Sequence, residues 1–270
     1  MSFGSRARVA MQAYGPACIG IDPHAALLEQ WGLDDDIEGL DRFASICVEA
    51  FAGQVAFVKP QSAFFERFGA RGVVVLERTI EDLRHTGSLV VLDVKRGDIG
   101  STAAAYADAY LDDDSPMAAD AITVSPFLGF GSLAPFFDVA EKNDAGVFVL
   151  ALTSNPEGPE VQHARVGDGT VAGSVLSQLA AQRRRDADGF VRGRRRRDDR
   201  RRRRRPGDQR TAAGAGLRRP GRHGRRHPQV VRRRHRQRHP LDVARVLSAG
   251  PDVSALRDAA ARVNAELVGS

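Results

Sequence analysis

The segment LVVLDVKRGDIGST, residues 89–102, decides the fold class of this protein. Its first six residues are aliphatic apart from one aspartate, which is typical of a strand that is buried on both faces. A loop with Gly97 and Asp98 follows, and small and apolar residues then recur at helical spacing over 101–111. A buried strand that leads through a short loop into a helix predicts one βα unit of a parallel sheet.

The same unit recurs along the first two-thirds of the chain, at intervals of about 30 residues. Short apolar runs predict strands over 17–21, 55–58, 89–94, 121–124 and 147–152. Amphipathic stretches predict helices over 41–52, 72–84, 101–111, 133–141 and 171–182. A doubly wound sheet and a TIM (β/α)8 barrel both fit this α/β pattern, and 270 residues suffice for a barrel of about 250.

The formal net charge of +6 conceals two parts of opposite sign. Residues 183–238 contain 25 arginines and five aspartates, a net charge of +20, whereas the other 214 residues carry a net charge of −14. No strand of an α/β core is legible from 183 to 240. Ordinary sequence returns near Val246, and the C-terminal part at 246–268 predicts a final helix.

Three interpretations compete for the Arg-rich segment, residues 183–245. It is a basic arm that binds nucleic acid, a solvated insertion, or the product of a shifted reading frame. In a GC-rich gene, Gly, Ala and Val codons read one base out become Arg, Pro and His codons. A shifted frame explains why arginine occurs without lysine and why the segment replaces expected strands. We therefore expect one α/β domain over 1–270 with an aberrant, disordered segment at 183–245.

Composition excludes several classes of protein. Two cysteines, Cys18 and Cys47, cannot form a disulfide framework, and they favour a reducing, cytoplasmic compartment. No apolar run reaches about 18 residues, so no membrane span is predicted. The first ten residues lack the apolar core of a secretory signal.

Charged side chains follow the apolar part of the strand at 89–94. Side chains two residues apart point to the same face of a strand, so Asp93 and Lys95 project together at its carboxyl end, and Asp98 follows in the loop. A surface ion pair beside a turn would have the same spacing. The position at the end of an otherwise apolar strand favours a functional role, because α/β folds carry their chemistry at that edge.

Three other predicted strands also end in polar residues. Asp22 follows the first strand, where it could equally cap a helix; Lys59 ends the second strand and Ser125 follows the fourth. The chain has only three lysines, and two of them, Lys59 and Lys95, lie at predicted strand ends. No spacing of His or Cys suggests a metal site, and no GxGxxG or Walker loop is present.

Five segments, IGIDPH, VKPQSAFFERFG, LDVKRGDIGST, TVSPFLGFGS and LTSNPEG, carry a resemblance to a known family. In this order they resemble the orotidine 5′-phosphate decarboxylases of high-GC actinobacteria, over about 1–182 and 246–268. The resemblance implies a TIM barrel that acts as a homodimer without metal or organic cofactor. It implies loss of CO₂ from orotidine 5′-phosphate to give UMP, the last step of pyrimidine nucleotide synthesis.

The resemblance assigns catalysis to a network of alternating charges formed by Lys59, Asp93, Lys95 and Asp98. Decarboxylation leaves an electron pair on ring carbon C6. Lys95 is expected to be a buried ammonium that stabilises this charge and then protonates C6. Asp93 is expected beside the substrate carboxylate, and Asp98 is implied to reach into the site of the neighbouring subunit.

A second set of residues is implied to bind the substrate. Asp22 and Lys59 would hold ribose hydroxyls, and Ser125, with Pro126 beside it, would contact the pyrimidine ring. Thr102 would reach into the site of the neighbouring subunit.

The phosphate grip of the family is missing from the sequence as written. The family uses a loop of the P-G-x-G-A-Q-G-G type after strand 7 and an arginine after strand 8. Strands 6–8 and this grip should lie in 183–245, where none is legible. We therefore expect the chain as written to fold poorly and to be inactive.

Two other functions stay open on the sequence. Sugar-phosphate lyases and decarboxylases of the same superfamily use Mg²⁺ and need a further acidic ligand at a strand end, where this chain has Lys59. The second alternative is an Arg-rich protein that binds nucleic acid. Phe190 is the only aromatic residue of the segment, so the sequence offers little that could stack on bases.

Overall fold

The computed structural model describes residues 1–185, 191–193 and 243–269. Most of the Arg-rich segment lies outside these described residues. The expectation that 183–245 is disordered therefore falls mostly on residues that are not described. In the described part of the chain, helices alternate with the strands of a parallel sheet. The α/β fold predicted from the sequence is confirmed.

The strands of the described residues form one parallel sheet and one small hairpin. In chain order they are β1 (Cys18–Ile21), β2 (Phe57–Pro60), β3 (Leu89–Arg96), β4 (Ala121–Val124), β5 (Gly146–Val149), the antiparallel hairpin β6 (Arg165–Val166) with β7 (Gly169–Thr170), and β8 (Val191–Gly193). In the parallel sheet the strands lie in the order β1-β2-β3-β4-β5-β8, which follows the order of the chain without a reversal. A doubly wound sheet requires such a reversal, whereas a (β/α)8 barrel has sequential strands. The order therefore favours the barrel.

Helices connect the strands and flank them. In chain order they are α1 (Phe3–Tyr14), α2 (Ala25–Gln30), α3 (Ile37–Phe51), α4 (Ala63–Glu66), α5 (Gly69–His85), α6 (Gly100–Leu111), α7 (Ala134–Lys142), α8 (Gly158–Gln162), α9 (Val171–Arg185), α10 (Val243–Leu247) and α11 (Val253–Val268), with a 3-10 turn at Phe130–Leu133. None of the helices in the described ranges is long and apolar enough to cross a membrane.

All five predicted strands and all five predicted helices of the first 182 residues are confirmed, with ends displaced by a few residues. The sequence analysis missed α2, α4 and α8, because helices of four to six residues are too short to show a helical period. It also missed α1, although Ser2 is a good N-cap and its hydroxyl accepts a hydrogen bond from the Ser5 N–H.

The prediction that no core strand lies in the Arg-rich segment is wrong at one place. Strand β8 pairs in parallel with β5, with Val191 opposite Val147 and Gly193 opposite Val149. Pairing uses backbone groups that almost every residue carries, so a short stretch can extend a sheet edge without an apolar pattern. A search for apolar runs cannot find such a strand.

Helix α1 is held at the amino edge of the sheet by a buried aspartate. Asp120, which is 4% exposed, precedes β4. Its Oδ2 accepts a hydrogen bond of 2.8 Å from the Val90 N–H, and its Oδ1 pairs with the guanidinium of Arg6 on α1. Phe3 of α1 packs edge-on against the ring of Phe148 on β5. These contacts fix α1 against strands β3, β4 and β5 of the sheet.

The chain rejoins the core where ordinary sequence returns. Val246 and Leu247 of α10 are buried, and the indole N–H of Trp31 donates a 2.9 Å hydrogen bond to the Leu247 carbonyl. The side chain of Asn264 on α11 accepts a 2.8 Å hydrogen bond from the Ala17 N–H, directly before β1. The C-terminal residues therefore pack against the start of the sheet.

Candidate active site

Polar side chains from adjacent strands meet at the carboxyl edge of the sheet. Asp22 follows β1, Lys59 lies on β2, and Asp93 and Lys95 lie on β3. The structure joins these four predicted site residues in one cluster of ion pairs. This cluster, Asp22, Lys59, Asp93 and Lys95, is called the charged cluster below.

Asp93 is the centre of the charged cluster and is only 8% exposed. Its Oδ1 accepts hydrogen bonds of 2.7 Å from both the Lys95 ammonium and the Thr123 hydroxyl. Its Oδ2 accepts hydrogen bonds from the Lys59 ammonium at 3.0 Å and from the Gln61 amide at 3.2 Å. Two cations and two neutral donors thus compensate one buried carboxylate.

The pKa shifts in the cluster follow from this pairing. Burial by itself would raise the pKa of Asp93, but Lys59, Lys95 and the Thr123 hydroxyl outweigh burial and hold it below its ordinary value. Burial by itself would lower the pKa of Lys59, but Asp22 and Asp93 outweigh burial and raise it. Asp93 and Lys59 are therefore both charged at neutral pH.

Asp22 is the least satisfied member of the charged cluster. Its carboxylate lies 3.9 Å from the Lys59 ammonium, and its buried Oδ1 has no hydrogen-bond partner in the part of the chain that the structure describes. Burial raises the pKa of Asp22, and the nearby Lys59 offsets only part of that rise. An under-satisfied carboxylate at this edge can accept a hydrogen bond from a ligand hydroxyl.

Lys95 stands at an irregular point of β3. Its φ angle is +48°, in the left-handed region, which costs a residue with a Cβ about 1 kcal/mol or more. Its side chain is 46% exposed, against 12% for Lys59. The expectation that Lys95 is a buried ammonium is therefore wrong for the described residues. The side chain lies at the open edge of the sheet, where its bond to Asp93 holds it.

The remaining predicted site residues do not join the charged cluster. Asp98 and Thr102 form no hydrogen bond or ion pair with it among the described residues. The Asp98 carboxylate instead accepts a 2.8 Å hydrogen bond from the next backbone N–H, and Thr102 is exposed in the first turn of α6. Ser125 and Pro126 are half-buried in the loop after β4. The Ser125 N–H donates a 2.7 Å hydrogen bond to a carbonyl at the end of β3.

Gln61, Thr123 and Gly97 were missed by the sequence analysis. Gln61 lies two residues after Lys59 and Thr123 two residues before Ser125, so the rule that paired Asp93 with Lys95 would also have found both. Gly97 needs the tertiary structure, because a Cβ there would collide with the carbonyl oxygen of Ser125. Only glycine lets the loops after β3 and β4 approach this closely.

Arg96, the residue after Lys95, is held by contacts with two helices. Its guanidinium donates a 2.6 Å hydrogen bond to Glu66 on α4 and a 3.1 Å hydrogen bond to the Tyr110 hydroxyl on α6. The same guanidinium lies 5.4 Å from the centre of the Tyr106 ring. The end of β3 is thereby tied to the helices that flank it.

The donor set at this edge does not suit a divalent metal. Among the described residues, no group of three or more His, Cys, Asp or Glu is placed to hold a metal ion. The Lys59 ammonium lies 3.0 Å from Asp93 and 3.9 Å from Asp22. It takes the position between two carboxylates that a divalent cation would need, so the magnesium ligand set of the alternative function is not formed here.

The sequential parallel sheet and its charged carboxyl edge define an α/β barrel protein with a site at the strand ends. The family model for orotidine 5′-phosphate decarboxylase / HUMPS matches residues 16–237. The chain belongs to this family, whose structures are TIM barrels. Both the barrel and the family resemblance predicted from the sequence are confirmed.

Individual relatives agree with the family. The orotidine 5′-phosphate decarboxylase of Salinispora tropica is 51% identical over 276 residues, which cover 98% of this chain and 96% of the relative. The orotidine 5′-phosphate decarboxylase of Nocardioides sp. is 66% identical over 181 residues; the match covers 66% of this chain and spans 66% of the relative's length. A solved structure from Streptomyces avermitilis superposes with a TM-score of 0.78 at 42% identity, covering 99% of this chain and 95% of that chain.

Proposed function

We propose that this chain is an orotidine 5′-phosphate decarboxylase, a carboxy-lyase that converts orotidine 5′-phosphate into UMP and CO₂. Family membership and curated relatives of this name at 51% and 66% identity support the activity. The observation that carries the chemistry is a buried carboxylate, Asp93, held between the ammonium groups of Lys59 and Lys95.

Lys95 supplies positive charge and a proton in the proposed mechanism. Cleavage of the bond between C6 and the carboxylate releases CO₂ and leaves the bonding electron pair on C6. The Lys95 ammonium, at the accessible edge of the sheet, stabilises that charge and donates a proton to C6, which gives UMP. Enzymes lower barriers by about 8–23 kcal/mol, and electrostatic stabilisation by oriented charges is usually the largest single contribution.

Asp93 acts on the substrate carboxylate as well as on the two lysines. Its two oxygens fix both ammonium groups, so the charges are in place before the reaction begins. A substrate carboxylate next to Asp93 would bring two negative charges together, and departure of CO₂ relieves that repulsion.

Substrate recognition uses the rest of the carboxyl edge. The free Oδ1 of Asp22 and the Lys59 ammonium suit two ribose hydroxyls as acceptor and donor. Ser125 and Pro126, half-buried after β4, would contact the pyrimidine ring. No cofactor is needed for this set of roles.

A homodimer would complete the site. Asp98 and Thr102 make no bond to the charged cluster of their own chain within the described residues, and Ile99 between them is 61% exposed. The test of this role mixes an inactive Asp98→Asn chain with an inactive Lys95→Ala chain, both made in a chain whose reading frame over 183–245 is restored. Recovered activity, at up to one intact site in each mixed dimer, supports sharing between subunits; no recovery despite mixed dimers contradicts it.

For the Arg-rich segment we propose a shifted reading frame. Matches at 66% identity to Nocardioides sp. and at 61% to Streptomyces coelicolor each extend over 181 residues, and 182 residues precede Arg183, whereas the match to Salinispora tropica that covers 98% of the chain is 51% identical. The segment as written contains neither the phosphate loop nor lysine. The chain as written would then lack its phosphate grip, fold poorly and be inactive.

One pair of proteins tests the activity and the reading frame separately. The chain as written and a chain with the frame restored over 183–245 are expressed, and loss of the orotate absorbance of orotidine 5′-phosphate is followed. Activity of the restored chain alone supports both proposals. An inactive but folded restored chain contradicts the activity, whereas equal activity of both chains contradicts the shifted frame. The base sequence of codons 182–246 should show one inserted and one compensating deleted base.

The two alternative functions have their own readouts. Activity on a sugar phosphate that disappears with EDTA would favour the magnesium-dependent enzyme. Binding of DNA or RNA that weakens steeply with salt would favour a nucleic-acid partner for the arginines. We propose a cytoplasmic location, which fits an enzyme of pyrimidine nucleotide synthesis.

A further inference from the structure

Thr123 on β4 lies in contact with two members of the charged cluster. We propose that its hydroxyl is the positioning group that fixes the Asp93 carboxylate and the Lys95 backbone relative to each other. The proposal rests on the function proposed above, because it assigns Thr123 a role in the same site. It adds a neutral residue to a site that the sequence analysis described by its charged residues.

The hydrogen bonds of Thr123 form a closed ring with the two charged residues. Its Oγ1 donates to Asp93 Oδ1 at 2.7 Å and accepts from the Lys95 backbone N–H at 2.9 Å. Asp93 Oδ1 in turn accepts from the Lys95 ammonium at 2.7 Å. Lys95 is therefore held at its backbone by Thr123 and at its ammonium by Asp93. Thr123 is only 8% exposed, so water has little access to replace its hydroxyl.

The left-handed backbone of Lys95 explains why such a group is needed. At φ +48° the residue departs from regular strand geometry, and the pairing of β3 with β4 shifts register between Leu92 and Arg96. The Lys95 N–H bonds to the Thr123 hydroxyl within this irregular stretch. Without that acceptor, a partly buried N–H would lose its partner and a strained conformation would lose a restraint.

The charges around Asp93 set the expected direction of its titration. Asp22 faces it from the end of β1, Lys59 and Gln61 from β2 and the loop after it, Lys95 from β3, and Thr123 from β4. Among the residues that the structure describes around Asp93, only Thr123 offers a neutral hydroxyl, and this hydroxyl stabilises the ionised form. Its removal should raise the pKa of Asp93 while all charged neighbours remain.

A matched pair of variants separates the hydroxyl from the rest of the side chain. Thr123→Val keeps the shape and removes the hydroxyl, whereas Thr123→Ser keeps the hydroxyl and removes the methyl. Carbon-13 NMR of the aspartate carboxyls, in the frame-restored chain, gives the midpoint of Asp93, which Asp93→Asn identifies by the missing signal. The midpoint should rise in Thr123→Val and stay in place in Thr123→Ser. In the frame-restored chain, kcat should fall about tenfold or more in Thr123→Val, with little change in KM, and Thr123→Ser should retain most of it.

Several outcomes would overturn the proposal. An unchanged Asp93 midpoint in folded Thr123→Val does so, and so does an equal rise in both variants, which would point to packing. If Thr123→Val does not fold, Thr123→Ala and Thr123→Ser are compared by the same criterion, since both lack the methyl and only one lacks the hydroxyl. The NMR midpoint does not depend on turnover. Kinetics of the unsubstituted, frame-restored chain test the decarboxylase activity itself.

Discussion

Two aspartates are buried at opposite edges of the same sheet, and each pairs with basic side chains. Asp120 lies at the amino edge, 4% exposed, and bonds to Arg6 and to the Val90 N–H. Asp93 lies at the carboxyl edge, 8% exposed, and bonds to two ammonium groups. Their burial is similar, but their surroundings differ in the polar groups that a ligand could contact.

Both carboxylate oxygens of Asp120 have partners. One oxygen takes a backbone amide and the other a guanidinium, and the pair joins α1 to the strands. At the carboxyl edge, Lys95 is 46% exposed on a left-handed backbone, and Asp22 keeps an oxygen without a hydrogen bond in the described part of the chain. The carboxylate oxygen without a hydrogen bond and the strained backbone therefore distinguish the edge that we propose carries the chemistry, whereas burial of a carboxylate alone does not.

The largest effect should come from Lys95. Lys95→Ala in the frame-restored chain should lower kcat by at least about a thousandfold, because it removes both the stabilising charge and the proton donor. The free energy of unfolding should change by less than about 1 kcal/mol, since the side chain is half exposed. Steady-state kinetics and urea unfolding measure both quantities. Lys142→Ala, at an exposed lysine on α7, is the control; near-normal turnover in Lys95→Ala would remove the proposed mechanism.

The amino edge should show the opposite behaviour. Asp120→Ala should lower the free energy of unfolding by about 3–5 kcal/mol, because it leaves the Arg6 guanidinium and the Val90 N–H without their partner. In the frame-restored chain, the kcat per folded molecule should stay the same. Urea unfolding and active-site titration measure the two, with Asp35→Asn at an exposed ion pair as the control. A large loss of kcat in folded Asp120→Ala would contradict the view that the amino edge is structural and only the carboxyl edge is catalytic.

Asp22 should show a conflict between stability and binding. Burial raises its pKa, so its ionised form costs stability as pH rises through the folded-state pKa. Asp22→Asn should therefore raise the free energy of unfolding at pH 7 by about 1 kcal/mol. The same change should raise KM, since the charged acceptor for a ribose hydroxyl is replaced by a weaker, neutral amide. Denaturant unfolding at pH 7 and kinetics on the frame-restored chain check both; lower stability would mean that pairing with Lys59 outweighs burial.

The smallest effect should be in acid. Because the pKa of Asp93 is held below its ordinary value, ionised Asp93 stabilises the fold at pH above the unfolded-state pKa of about 3.9, and this stabilisation is lost as pH falls through the folded-state pKa. Asp93→Asn should flatten that part of the stability curve. Unfolding midpoints between about pH 6 and 3 test this, and an unchanged slope below pH 4 would contradict it.

Much of the fold could be predicted from the sequence because its signals are local. The apolar runs gave β1 to β5, and the spacing of Asp93 and Lys95 gave their position at one strand end. Strand β8 could not be predicted, because its backbone pairing leaves no mark on the side-chain pattern. Gln61 and Thr123 could have been predicted, because each lies two residues from a predicted site residue, Lys59 or Ser125. A search for charged residues did not select them, since both are neutral.

The sequence by itself determined the family, the βα repeat and the charged residues at the strand ends, because periodicity and residue type are properties of short segments. The tertiary structure alone decided that the strands follow one another without reversal, that Lys95 is exposed on a left-handed backbone, and that Thr123 lies between it and Asp93. Those features depend on which strands become neighbours and in what register. Contacts of that kind join residues some 30 positions apart, so no local pattern can contain them.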